Sequence, residues 1–198
     1  MTIKNDRRIY FILTMILCVC LGAGICTLSQ YTLASFGTIA ACFAATALIS
    51  GTVLWKSRLW IRLTGTQAFL PNYLCHSVCT GILGTALFYI GNYSLADDAA
   101  GHLEKAVVEE TYYKVRHKTR RVSRGHYTRG DAYNVYYMKA SFGDGSVKDF
   151  EVERKKYVRL HKGDTVELFI SKGFFGFPVV KYNKLTKYTY GSRYRETH

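Results

Sequence analysis

The chain has 198 residues, 27 Lys and Arg against 14 Asp and Glu, and a formal net charge of +13. Residues 9–55 contain no Asp, Glu, Lys or Arg, whereas residues 94–198 contain 21 Lys and Arg and 13 Asp and Glu. This division excludes a uniformly soluble chain and predicts a membrane-embedded first half followed by a basic, water-soluble second half. All six cysteines lie in the first half, so the second half cannot rely on disulfides.

The first hydrophobic segment is Ile9–Leu28, which follows the short basic sequence MTIKNDRR. A run of about 20 uncharged, mostly apolar residues is long enough to cross the hydrocarbon core as a helix. A cleaved signal peptide is the alternative, because a basic segment before an apolar one is also its signature. We expect a retained helix, since the run is long for a signal and Gly22–Gly24 is only a fair cleavage site.

Two further spans are predicted at Leu33–Trp55 and Tyr73–Tyr93, so that three helices cross the membrane. Both carry small residues at four-residue spacing: Gly37, Ala41 and Ala45 on the second, and Ser77, Gly81 and Thr85 on the third. Small residues in this arrangement allow helix backbones to approach closely within lipid. We expect them to pack the three helices against one another, with an oligomer interface as the alternative.

The connection Lys56–Asn72 contains cations beside aromatic residues, which is typical of a segment at the membrane surface. Its predicted membrane-interface anchors are Lys56, Arg58, Trp60 and Arg62. Positive charge in this connection and in the N-terminal segment marks the cytoplasmic side. The sequence therefore predicts a multi-pass protein of the bacterial inner (cytoplasmic) membrane, with its N-terminus in the cytoplasm and its C-terminal domain extracytoplasmic.

Cysteines within the spans suggest a metal or redox site as an alternative function. Cys75 and Cys79 lie one helical turn apart, and Cys18, Cys20 or His76 could complete a site for a soft metal. The spacing matches no familiar thiolate motif, and cysteine is also a small apolar residue that suits a membrane helix. We expect no metal and no cofactor, and we expect His76, close to the interface, to extend its ring toward the membrane surface.

The second half shows the alternation of apolar and polar residues that is typical of strands separated by Gly- and Asp-containing turns. The predicted strands are Lys105–Lys118, Ala132–Phe142, Val147–Val152, Thr165–Ser171 and Pro178–Tyr182, with one helical turn within Arg154–Leu160. The predicted fold class is an α+β membrane protein, with three helices before a small antiparallel β-barrel or sandwich. Its domains are 1–93 in the membrane, 94–182 in the β domain and 183–198 in a basic tail.

Two segments of the β domain resemble a family of uncharacterised bacterial membrane proteins. They are Tyr136–Gly145, which contains the hairpin signal Asp144-Gly145, and Lys162–Phe169, with the pattern G-D-x-V. The likeness extends over about 107–182 and implies a few transmembrane helices joined to a small β module, with no assigned activity. This chain departs from the family pattern at Gly173–Gly176, which replaces an acidic turn into a further helix.

The chain contains no nucleophile elbow, phosphate-binding loop, dinucleotide fingerprint or HExxH motif, so we do not expect an enzyme. The segment Thr119–Gly130 is predicted to be a basic loop that binds an anionic partner. Its candidate residues are Arg120, Arg121, Arg124, Arg129 and Tyr127. Possible partners besides the lipid bilayer are an envelope protein, an acidic glycan or anionic lipid, and oligomers are possible. A solvated basic loop without a partner is the competing interpretation.

These observations favour a non-enzymatic accessory or interaction subunit that presents an extracytoplasmic β domain. The alternative is a cytoplasmic-facing basic barrel that binds anionic lipid or nucleic acid. Nucleic acid is an unlikely partner because the charge distribution places the domain outside.

Overall fold

The computed structural model describes residues 2–181, and side chains from residue 8 onward. The predicted basic tail 183–198 and the end of the last predicted strand lie outside the described residues. The chain divides into two compact units. One contains the residues up to Ala96 together with Gly173–Pro178, and the other contains Asp97–Lys172 and the chain from Val179 onward.

Four helices form the first unit: α1 (Thr2–Tyr31), α2 (Phe36–Leu54), α3 (Arg58–Thr64) and α4 (Phe69–Ser94). Three of them are long and apolar enough to cross a membrane, namely α1 from Arg8, α2 and α4. The three long helices occupy the predicted hydrophobic segments. The short helix α3 lies in the connection that the sequence predicted only as an interfacial segment.

Close packing of α2 on α4 accounts for two of the small residues that the sequence singled out, Ser77 and Gly81. A Cβ atom on Gly81 of α4 would lie 3.7 Å from the Cβ of Ala47 on α2. Ser77 donates a hydrogen bond from Oγ to the backbone oxygen of Ala47 at 3.4 Å. These contacts confirm packing within the chain at Gly81, whereas Gly37 faces open space.

Asn92, near the end of α4, holds the segment Gly173–Pro178 against the helix. Its fully buried side chain donates from Nδ2 to the backbone oxygen of Phe177 and accepts at Oδ1 from the backbone N–H of Phe175, both at 3.0 Å. The Phe175 ring stacks on Phe88 with centroids 5.3 Å apart. A Cβ on Gly173 would collide with the Asn92 amide and with the backbone of Phe177, so this turn requires glycine.

The second unit contains a single antiparallel sheet. Its strands are β1 (Asp97–Ser123), β2 (His126–Ser141), β3 (Val147–Val152), β4 (Thr165–Lys172) and β5 (Pro178–Val180). Their order is β3-β2-β1-β4-β5, so the sheet is open in the described residues. The α+β class is confirmed at this level, but the described strands neither close into the predicted barrel nor form two packed layers. The consecutive strands β1, β2 and β3 are joined as hairpins, while β4 pairs with the other edge of β1.

One face of the sheet carries the hydrophobic core of this unit. Met138 and Phe150 are cross-strand partners on β2 and β3, and both are fully buried. Val166 and Leu168 continue the core on β4. The short helix α5 (Arg154–Tyr157), which was predicted as a helical turn, packs on β2 through Tyr157, whose ring centroid lies 4.7 Å from that of Tyr136.

The prediction of a basic loop at residues 119–130 is wrong, because all of these residues except the two of a turn belong to strands. β1 continues to Ser123, β2 begins at His126, and only Arg124 and Gly125 form the turn between them. The pairing of β1 with β4 ends at Val107, and that of β2 with β3 ends at Tyr136. Residues 114–135 therefore form a two-stranded extension with no neighbouring strand, which we call the β ribbon.

A bulge in β2 gives the β ribbon a requirement for glycine. The register passes from the pair His117–Ala132 to the pair Thr119–Arg129, so Lys118 of β1 faces both Gly130 and Asp131. A Cβ on Gly130 would lie 2.9 Å from the backbone oxygen of Lys118.

The substitution Gly130→Ala should therefore loosen the β ribbon, by about 1–3 kcal/mol in its free energy of local opening. Amide hydrogen exchange of β1 and β2 measures this change. Gly143→Ala is the matched control, because a Cβ there meets nothing within 4 Å. Equal exchange rates in the two variants would contradict the close approach at the bulge.

Candidate anionic-partner interface

The β ribbon concentrates positive charge. Residues 114–130 contain seven cations and no Asp or Glu, and all seven side chains are exposed. The seven are Lys114, Arg116, Lys118, Arg120, Arg121, Arg124 and Arg129. No ion pair involves them in the described residues, so their charges are not neutralised by neighbouring carboxylates. Such a concentration of one sign of charge attracts anions.

Four of these cations form a single row on β1, because alternate residues of a strand point to the same face. They are Lys114, Arg116, Lys118 and Arg120. The bulge at residues 130 and 131 adds its extra residue to β2 and leaves the alternation of β1 uninterrupted. At about 3.4 Å per residue the row extends over about 20 Å, with a charge at each interval of about 7 Å. We call this row the cation track.

Aromatic side chains of β2 accompany the cation track on the same face. Arg116 pairs across the ribbon with Tyr133, whose side chain is 42% exposed. Arg116 also donates from Nη2 to the hydroxyl oxygen of Tyr137 at 2.8 Å. The Tyr137 ring in turn stacks on Tyr112 with centroids 5.3 Å apart, and the Lys114 ammonium lies 5.2 Å from the Tyr137 ring centroid.

Tyr112 joins this aromatic group to the neighbouring strand β3. Burial raises the pKa of its hydroxyl, and the carboxylate of Asp149, which accepts its hydrogen bond, raises it further. The hydroxyl is therefore held in its neutral, donating form. Stacking joins Tyr112 to Tyr137, and a hydrogen bond joins Tyr137 to Arg116, so the Arg116 side chain of the cation track is held in place.

The predicted patch residues are divided by the ribbon between its two faces. Arg121 pairs with Tyr127 across the strands, and Arg129 lies on the same face two residues further along β2. Arg120 points to the opposite face, with the cation track, and Arg124 lies at the turn. The structure thus brings Arg121, Tyr127 and Arg129 together and separates Arg120 from them.

Sequence reasoning missed Lys114, Arg116 and Lys118 as candidate residues. Their signal was present in the alternation K-x-R-x-K-x-R over 114–120. The predicted strand ended at Lys118, which placed Arg120 in a loop and divided the row between two elements.

The predicted membrane-interface anchors lie on or beside α3. Arg58 and Arg62 are exposed and one helical turn apart, and the ammonium of Lys56 lies 5.0 Å from the ring centroid of Trp55. Trp60 is half-buried instead, with its ring edge against His76 at a centroid distance of 5.2 Å. Cations thus occupy one side of α3 while its tryptophan packs inward.

The expectation that His76 reaches toward the membrane surface is wrong. His76 is only 3% exposed, and its Nε2 lies 2.9 Å from Oγ of Ser50 on α2. The Ser50 hydroxyl and Nε2 of His76 share a hydrogen bond whose donor is set by the imidazole tautomer. His76 therefore joins α4 to α2 and packs on Trp60.

The cysteines provide limited support for a metal site. Sγ of Cys18 on α1 lies 4.0 Å from Sγ of Cys79 on α4, and Cys20 is exposed. Within residues 2–181, no group of three His, Cys, Asp or Glu side chains is placed to hold a metal ion. His76, the other candidate ligand, is directed at Ser50.

No family model, curated protein or solved structure matches this chain. The likeness to uncharacterised bacterial membrane proteins remains a prediction, and the functional argument depends on the chain's own residues.

Proposed function

We propose that this protein is a non-enzymatic interaction subunit of a bacterial inner membrane, which presents its β domain outside the cytoplasm to an anionic partner. The observation that carries the proposal is the β ribbon, whose residues 114–135 contain seven exposed cations and one acidic residue, Asp131. A ribbon exposed on both faces buries little surface of its own, and an isolated two-stranded hairpin is only marginally stable in water. Its length and charge are therefore better explained by contact with a partner than by folding.

The membrane assignment is supported by three helices of sufficient length and apolar character. Their exposed surface supports it too, because large apolar side chains cover α1, among them Leu13, Ile16 and Val19, each more than half exposed. In water such a surface would be an aggregation liability, whereas lipid solvates it. The positive charges of Arg58 and Arg62 on α3 and of the basic N-terminal segment support the proposal that these segments face the cytoplasm.

Salt dependence tests the proposed binding. The full-length protein in nanodiscs of neutral lipid is titrated with three anionic probes and one neutral probe: polyuronate, phosphatidylglycerol vesicles, oligodeoxythymidine and dextran. At least one anionic probe should bind more tightly than dextran. Its affinity should fall about 50-fold between about 50 and 200 mM salt if about four cations release counterions. Binding of no anionic probe above the level of dextran would contradict the proposal.

A further inference from the structure

The arrangement of charge on the β ribbon indicates the shape of the partner. The cation track is one-dimensional, because the residues of β2 on the same face carry no positive charge. Lys114 pairs with Val135, Arg116 with Tyr133, and Arg120 with Thr128. The residues beside the row are neutral or aromatic except for Asp131 at the bulge opposite Lys118, and a single row of cations of this kind matches an extended anionic chain better than a flat, charged surface. This argument rests on the proposed function and adds to it the class of ligand.

The aromatic side chains beside the cation track indicate which groups lie between the charges of the anionic partner chain. Tyr133 presents an exposed ring directly across from Arg116. The rings of Tyr112 and Tyr137 are occupied by their mutual stacking and by Lys114. An exposed ring beside a cation suits a repeat unit that contains both a ring face and an anionic group.

A bilayer surface fits these residues less well. A flat membrane reaches one side of the β ribbon, yet Arg121 and Arg129 lie on the face opposite the track. The turn residues Arg124 and Gly125 carry no large apolar side chain that would insert among lipids, and the exposed apolar residues that flank the turn are limited to Val122 and Tyr127.

We propose that the cation track binds a linear acidic polysaccharide, which lies along β1 with its anionic groups on Lys114, Arg116, Lys118 and Arg120 and a sugar ring on Tyr133. The track of about 20 Å accommodates several sugar units at once. Affinity for oligomers therefore rises with their length until the chain covers the track. Longer chains then gain only the statistical advantage of several binding registers.

The test uses the full-length protein in neutral-lipid nanodiscs and oligouronates of increasing length. The variant that removes the track is Lys114→Gln, Arg116→Gln, Lys118→Gln and Arg120→Gln. The control removes the same charge from exposed sites elsewhere in the sheet unit: Arg154→Gln, Lys155→Gln, Arg159→Gln and Lys162→Gln. The track variant should weaken binding of the longest oligomer about 30-fold or more, and the control by about threefold or less.

A smaller variant keeps the test decisive if the loss of Arg116 disturbs its bond with Tyr137. Lys118→Gln with Arg120→Gln leaves the aromatic group intact and should still weaken binding about fivefold or more. Tyr133→Ala should weaken oligouronate binding several-fold and leave its salt dependence unchanged, because no charge is removed.

Several results would overturn the proposal. One is equal weakening by the track and control variants, and another is an affinity that does not change with oligomer length. Tighter binding of phosphatidylglycerol vesicles or oligodeoxythymidine than of polyuronate, compared per charge, would reject the polysaccharide while leaving the anionic-partner function in place. Failure of every anionic probe would instead reject the proposed function itself.

Discussion

Asn92→Ala is expected to lower the free energy of unfolding of the first unit, which contains helices α1–α4, by about 2–4 kcal/mol. The substitution removes the partner of the Phe175 N–H and one of the two donors to the Phe177 backbone oxygen, which keeps its bond from the Gly173 N–H, and it opens a cavity where a fully buried amide stood. A backbone group that loses its partner costs free energy to the extent that it is shielded from water. Thermal unfolding of the purified protein in detergent, followed by tryptophan fluorescence, measures the change because both tryptophans belong to this unit.

The same substitution at an exposed asparagine serves as the control. Asn134 lies on the β ribbon with an exposed side chain, and Asn134→Ala should change stability by about 0.5 kcal/mol or less. If both variants unfolded at the same temperature, Asn92 would not hold the segment Gly173–Pro178 as the structure places it.

Phe150→Ala is expected to lower the free energy of unfolding of the second unit, which contains the antiparallel sheet, by about 3–5 kcal/mol. Phe150 is fully buried on β3, opposite Met138 and edge-on to Phe142 at a centroid distance of 6.2 Å. Removing its ring leaves a cavity in the hydrophobic face of the sheet where the edge strand β3 pairs with β2. Amide hydrogen exchange of β2 and β3 measures the loss of protection.

Tyr127→Ala provides the control for this second substitution. Tyr127 is also a large aromatic residue of the sheet, but its side chain is 65% exposed. Its removal should alter exchange in the core strands by less than about 0.5 kcal/mol. A comparable loss of protection in the two variants would mean that the core does not depend on Phe150.

The segments with strong apolar patterns were predicted well from the sequence. Each of the three long helices covers all or most of its predicted apolar segment, and β3 has the predicted bounds Val147–Val152. The start of α4 was predicted four residues late, at Tyr73 instead of Phe69. Pro71 lies in the first turn of this helix, where a backbone N–H has no intrahelical partner and proline is tolerated.

The β ribbon was recognised only in part because it has no buried face. Strands are found in a sequence through alternation of apolar and polar residues, and that pattern requires one face to be covered. From Arg116 to Arg121 polar residues point both ways, so the segment resembles a loop. Its cross-strand pairing, for example of Arg121 with Tyr127, becomes visible only in three dimensions.

The buried polar contacts could not be predicted for a different reason. His76 meets Ser50 across 26 residues, and Asn92 meets Phe177 across 85 residues. Nothing in the local sequence around a histidine or an asparagine specifies such a distant partner. The sequence shows only that these polar residues occur in an apolar helix, where they have to find hydrogen bonds.

The orientation of the β ribbon outside the cytoplasm is tested most directly by cysteine labelling in intact cells. Residues 94–198 contain no native cysteine, so Ser123→Cys places one new thiol near the tip of the ribbon, and Gln67→Cys places one in the exposed connection before α4. A membrane-impermeant maleimide should label Ser123→Cys above the level of the unsubstituted chain, and Gln67→Cys only after permeabilisation. Labelling of Gln67→Cys in intact cells, with Ser123→Cys protected until permeabilisation, would contradict the proposed orientation.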